Sequence, residues 1–231
     1  MGQKIHPYGF RVGITRPWRS RWYANKHKFG ALLIEDHRIR QHIMQNYSES
    51  AIPRVEIERK GEEKVTVFIH TAKAGTLLGK KTNRLTELEK ELHELTGGKV
   101  IDTRLIDIQK PELDATLTAQ RIAEQIVRRI NFRRAAKREQ ELVQQSGALG
   151  IKIQLAGRLG GKELARTEKM VWGSIPLHTL RADVDYGIAE AHTTYGTIGI
   201  QIWINRGEIQ MEPAAEAAQT PANREGGRQW R

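Results

Sequence analysis

The sequence predicts an α+β protein of two compact units, the second of them α/β with a mixed sheet, preceded by a basic arm and followed by a mobile tail. Three observations predict it. Runs with helical period alternate with runs of period two along residues 28–109 and again along 114–205. A proline after a lysine, Lys110-Pro111, interrupts the pattern between them. The chain of 231 residues also exceeds a single domain of roughly 100–150. The expected divisions are 1–27 for the arm, 28–109 and 110–209 for the two units, and 210–231 for the tail.

In the first unit, Phe29, Leu32, Leu33, Ile39 and Ile43 recur at helical spacing between charged residues, so a helix is expected from Lys28 to about Tyr47. Arg54 to Arg59 and Val65 to His70 alternate as strands around Lys60-Gly61-Glu62-Glu63-Lys64, which predicts a hairpin. Thr71 to Leu78 reads as a short helix stopped at Gly79. Asn83 to Leu95 reads as an amphipathic one, with Leu85, Leu88, Leu92 and Leu95 on one stripe and Gly97-Gly98 as its stop. A strand, Val100 to Ile108, closes the unit.

The second unit opens with a helical stretch from about Asp114 to Gln145. Strand Ile151 to Leu155 runs into the loop Gly157-Arg158-Leu159-Gly160-Gly161, after which Lys162 to about Trp172 is expected to be helical. Leu180 to Tyr186 and Thr197 to Asn205 alternate as strands, the latter with Ile198, Ile200, Ile202 and Ile204 on one face. After Glu208 the chain is rich in Ala, Glu, Gln, Pro and Gly, with little to bury.

Composition excludes several classes of function. With no cysteine, there is no disulfide framework, thiolate metal site or cysteine nucleophile. Residues 1–30 lack the apolar run of an export signal, and no apolar stretch approaches the ~20 residues of a membrane helix. A cytoplasmic protein is expected. The net charge of +11 is unevenly spread: residues 1–40 carry nine Lys/Arg against Glu35 and Asp36, residues 126–138 carry six and no acid, and the remainder sums to −2. Charge gathered in two segments implies a polyanionic partner.

On a helix, Ala119, Ile122, Ala123, Ile126 and Ile130 form one apolar stripe, and its continuation meets Arg133 and Lys137. A core does not accept unpaired cations, so this face leaves the core near Asn131. Phe132, Ala135, Ala136, Leu142 and Val143 supply a new apolar face on the other side. Either one helix passes between two packing surfaces or it breaks near 128–132. Both arrangements project Arg133, Arg134, Lys137 and Arg138 together into solvent, within an arc of about 140°.

The arm mixes cations with aromatics: Lys4, His6, Arg11, Arg16, Trp18, Arg19, Arg21, Trp22 and Tyr23. Rings stack on bases while arginines neutralise phosphate; the same rings could equally fasten the arm to the first unit. Arg158 and Lys162 add cations at the glycine-rich loop.

The order helix, strand, strand, helix, basic loop, helix, strand over 28–109 resembles the KH fold of the second type. The resemblance implies that Gly79-Lys80-Lys81-Thr82 clamps a single strand of nucleic acid, although threonine stands where the GXXG pattern has glycine. Gly2-Gln3-Lys4-Ile5-His6-Pro7, Pro17-Trp18, Ile69-His70-Thr71-Ala72, Phe132-Arg133-Arg134-Ala135, Gly157 to Gly161, Pro176 to Asp183 and Ala191 to Gly196 are similar, in order, to the signatures of the third protein family of the bacterial small ribosomal subunit. That resemblance implies a ribosome-bound structural protein without cofactor, metal or small-molecule substrate and without enzymatic activity. Its implied partners are 16S rRNA of the subunit head, small-subunit proteins number two, ten and fourteen, and mRNA. The family's cations at the mRNA entry pore fall on Arg133, Arg134 and Lys137.

Two enzymatic readings compete. Gly157 to Glu163 follows a strand as a phosphate-binding loop would, but Ala156 and Glu163 stand where that pattern needs glycine and Ser/Thr. Asp183 and Asp185 share a strand face, with His178 and His192 nearby in sequence, and could serve an RNA-processing nuclease; ion pairs with Arg181 or Arg166 are the structural alternative.

Overall fold

The protein is described here from a computed structural model, which describes residues 3–61, 64–78 and 84–209. The arm is ordered: after a short helix α1 (Pro7–Arg11) comes a two-residue strand β1 (Ser20–Arg21). Helix α2 (Lys26–Asn46), strands β2 (Arg54–Lys60) and β3 (Lys64–Thr71), helices α3 (Ala74–Leu78) and α4 (Arg84–Leu95) and strand β4 (Val100–Asp107) follow the expected order. Helix α3 starts later than the periodicity predicts, because Thr71 completes β3 and its hydroxyl donates to the Ser50 carbonyl at 2.6 Å.

The first sheet has the order β1-β2-β3-β4. The hairpin β2–β3 is antiparallel, while β3–β4 is parallel and is joined through α3 and α4, the kind of crossover that parallel neighbours require. The arm adds β1 to the sheet edge parallel to β2, pairing Ser20 with Ile57. Ile39 and Ile43 of α2 and Leu88 and Leu92 of α4 bury against Val55, Ile57, Val65, Val67 and Ile69.

In the second unit the long helical stretch is two helices, α5 (Ala115–Val127) and α6 (Phe132–Gln145). Arg129 turns the chain with φ +62°, and the Asn131 side chain caps α6 by accepting from the Arg133 amide at 2.9 Å. Ile130, expected to continue the apolar stripe, is therefore exposed at the break. Asp114 caps α5 through the Thr116 and Leu117 amides.

Strands β5 (Gly150–Gly157), β6 (Arg166–Gly173), β7 (Ala182–Thr193) and β8 (Gly196–Glu208) form a sheet of order β6-β5-β8-β7, antiparallel throughout. The mixed pairing expected of this sheet belongs instead to the first. Tight connections such as that between Thr193 and Gly196 admit only antiparallel neighbours.

The helix expected over 162–172 is strand β6. On a helix, Met170 and Trp172 would stand about 200° apart; on the strand both face the core while Thr167, Lys169 and Val171 face out. Helices α5 and α6 cover one face of the sheet, against Ile151, Ile153, Leu155, Ile200, Ile202 and Ile204. Gly187 allows this approach: a Cβ there would lie 2.3 Å from the Ala115 carbonyl carbon.

Candidate nucleic-acid interface

The chain break before α6 positions the strongest cationic surface. Phe132, Ala135, Ala136 and Val143 turn one side of α6 into the core, which fixes the opposite side outward. Arg134, Lys137 and Arg138 are exposed there, and none has an acidic partner among the described residues. Arg133 is 60% exposed at its side chain and pairs with Glu168 of β6 at 3.0 Å. Arg128 and Arg129, at the break, extend the exposed surface. Six cations with a single firm carboxylate contact make a face that favours an extended anion. Glu139, on the buried side of α6, is held by Arg121 at 3.3 Å and by Gln125 at 2.9 Å.

The arm divides into inward and outward parts. Arg11 was expected among the RNA-binding cations, but it is 0% exposed and donates to the carbonyls of Pro7, Pro176, Leu177, Thr179 and Ala182. Arg16, likewise expected to reach RNA, lies against Asp183 and Asp185 with its side chain 10% exposed. Trp22 is half-buried and donates from Nε1 to Asp36 at 2.8 Å, so it fastens the arm to α2. Asp36, fully buried, also accepts from the Ser20 hydroxyl and the Arg59 guanidinium.

Arg21 is shared between Glu56 and Glu58. Hydrogen bonding from His70, reinforced by Arg54 and Arg21, holds the Glu56 carboxyl below the usual glutamate range against the cost of its burial. Lys4, Trp18 and Arg19 face outward, Trp18 with 67% of its surface free and Arg19 over the Tyr8 ring at 4.8 Å. His6 meets the Tyr186 ring edge-on at 4.8 Å; burial there, with Arg19 nearby, lowers its pKa.

A cleft of about 730 Å³ opens between the arm, α2 and β7, lined in part by Tyr8, Trp18, Arg19, Arg40 and Tyr186. At the glycine-rich loop, Arg158 donates to the carbonyls of Lys162 and Tyr195, closing the loop, while Lys162 is exposed. Gly79, Lys80, Lys81 and Thr82 lie outside the described residues.

Asp183 and Asp185 form a structural knot. Asp185 accepts from the Ala115 amide at 2.9 Å and from Arg206 at 2.8 Å, and Arg16 lies beside both carboxylates. The ion-pair partners are thus Arg16 and Arg206; Arg181 pairs with Glu208 and Arg166 with Glu168. Burial and the neighbouring Asp185 charge push the Asp114 carboxyl above the usual aspartate range. Sequence reading passed over Lys152 and Lys169, which strand register brings together on the sheet face away from α6. Among the described residues no helix is long and apolar enough to cross a membrane.

Two family models match the chain: the KH domain over residues 38–113 and the ribosomal protein S3 C-terminal domain over residues 122–204. The small ribosomal subunit protein uS3 of Caldicellulosiruptor bescii is 51% identical over 215 residues, covering 93% of this chain and 96% of the relative. The proteins of the same name from Alkaliphilus oremlandii and Beijerinckia indica are 47% and 48% identical, covering 90% and 94% of this chain and 87% and 89% of their own lengths.

Proposed function

The chain belongs to the uS3 family of small-ribosomal-subunit proteins, and from that premise we propose that it binds the 16S rRNA of the subunit head and lines the path by which mRNA enters. In this reading it is a structural constituent of the subunit, placed near small-subunit proteins number two, ten and fourteen. Its outward arm residues Lys4, Trp18 and Arg19, with Arg21, Lys162 and the exposed edge of His6, contact rRNA. The cationic side of α6 guides mRNA and helps open its secondary structure.

The observation that carries the proposal is the set Arg134, Lys137 and Arg138, held in solvent by the buried side of the same helix and left without carboxylate partners among the described residues. Cations presented this way on a rigid helix attract a phosphate chain without reading its sequence, which suits a channel passing any message. Asp183 and Asp185 serve as partners of Arg16, Arg206 and the Ala115 amide, so the pair acts as structure and not as a nuclease site.

The test is the salt dependence of binding by the full chain to a single-stranded RNA. Replacing Arg133, Arg134 and Lys137 by Ala lowers the log–log salt slope by roughly two, each phosphate contact on a single strand contributing about 0.7. The Arg133–Glu168 pair places the expected value somewhat below two, at roughly 1.5. An unchanged slope overturns the assignment of α6 to RNA. Failure of the tagged protein to sediment with small subunits overturns the ribosomal reading itself.

A further inference from the structure

The helices α5 and α6 cover only one face of the second sheet. The register places Tyr186, Trp203, Lys152 and Val171 in one row across the other face, and Ile188, Gln201, Gln154 and Lys169 in the next. Lys152 and Lys169 are diagonal neighbours on β5 and β6, with Cβ atoms about 7 Å apart. The arm supplies a third cation. His6 against Tyr186 and Arg11 within the carbonyls of 176–182 anchor the arm, so that Lys4 lies near enough to Lys152 for the two charges to repel.

Three ammonium groups are thus gathered from positions 4, 152 and 169, and among the described residues no carboxylate pairs with any of them. The nearest acid on the same face of these strands, Glu190, stands on β7 at the opposite edge of the sheet from Lys169. Trp203 forms the floor: Lys152 Nζ lies 4.6 Å from its ring centroid, a cation–π contact that fixes the lysine stem in place. Partial burial and the charges of Lys4 and Lys169 lower the proton affinity of Lys152. Cations assembled without counter-charge repel each other, and an anion bound across them removes that repulsion.

We propose that this outer face of the second sheet, centred on Lys4, Lys152 and Lys169, is a second RNA-binding surface, separate from α6, on which a phosphate backbone lies across the rows with Gln154 and Gln201 as hydrogen-bonding groups beneath it. The proposal rests on the ribosomal reading and names a further surface through which rRNA is held. An RNA backbone fits better than an acidic protein segment. The cations stand on the edge half of the face, where Gln154, Gln201 and the small residues Ala156 and Gly199 let a backbone approach closely.

The experiment measures binding of the full chain to a 16S rRNA transcript as a function of salt. Lys152→Gln with Lys169→Gln lowers the salt slope by about two, while Lys152→Arg with Lys169→Arg preserves it. Adding Lys4→Gln removes roughly one more. A wild-type slope in the double Gln variant overturns the proposal and leaves the ribosomal reading standing; absence of salt-sensitive binding by the wild-type chain overturns both. Amine acetylation separates the two classes of partner. Protection of Lys152 and Lys169 by the transcript alone supports RNA, whereas protection found only in intact subunits assigns the face to a protein neighbour and overturns the proposal.

Discussion

At the scale of single residues, the arginines of the arm are anchors as often as ligands. Asp36 shows what is at stake: the Ser20 hydroxyl, the Trp22 indole and the Arg59 guanidinium all donate to one fully buried carboxylate. The Arg59 side chain is itself 3% exposed. Asp36→Asn removes one of that guanidinium's two carboxylate partners, leaving Glu35 at 3.2 Å, a change that costs about 1–3 kcal/mol; urea unfolding of the variant measures it, and a loss below about 1 kcal/mol would show the network to be dispensable. Asp114 gives a prediction in pH. Its folded pKa is raised, so in the window between the unfolded value near 3.8 and the higher folded one the folded state binds more protons, and Asp114 costs stability as pH rises through that window. Asn keeps the cap on α5 without titrating. The stability of Asp114→Asn relative to wild type therefore increases from acid toward neutral pH, and a constant difference across the range refutes the assignment.

At the scale of elements, the junction of α5 and α6 presents the cations. Arg129 holds a left-handed φ of +62° that a side chain adopts at a cost of roughly 1 kcal/mol, and Gly relieves it. Thermal unfolding is thus expected to find Arg129→Gly no less stable than wild type and Arg129→Val less stable by about 1–2 kcal/mol; equal effects would mean the turn is not specified by its backbone. The sequence made the existence of this junction legible, because an apolar stripe running into Arg133 and Lys137 cannot stay buried. It left break and pass-through undecided, since the choice depends on how far the sheet extends beneath the helices. Strand β6 was illegible for a related reason. Its inward row begins with Arg166 and Glu168, which pair with each other while Glu168 also holds Arg133, so the apolar period of two is carried by Met170 and Trp172 alone. The outward cations of α6 could be read from spacing, whereas Arg11 and Arg16 could not be told from surface cations. Apart from the Pro7 carbonyl, the carbonyls and carboxylates that hold them lie more than 160 residues away.

At the scale of the whole molecule, the arm is a clasp between the two units. Ser20 and Trp22 hold it to α2 of the first, and His6, Arg11 and Arg16 hold it to β7 and the segment before it in the second. Clasping arranges outward cations without spending the anchoring ones on phosphate. A ligand that finds the arm already ordered avoids the entropy of ordering it on binding. Arg11→Met with Arg16→Ala removes the clasp while leaving Lys4, Arg19 and the α6 cations in the chain. If Arg11 and Arg16 were phosphate ligands, the variant would lose about two units of salt slope. If they are anchors, affinity for a 16S rRNA transcript falls at every salt concentration while the slope stays within about half a unit of wild type. The fall in affinity comes from ordering a freed arm, so proteolysis of the unbound variant should cut between Pro7 and Arg16 where the wild-type chain resists.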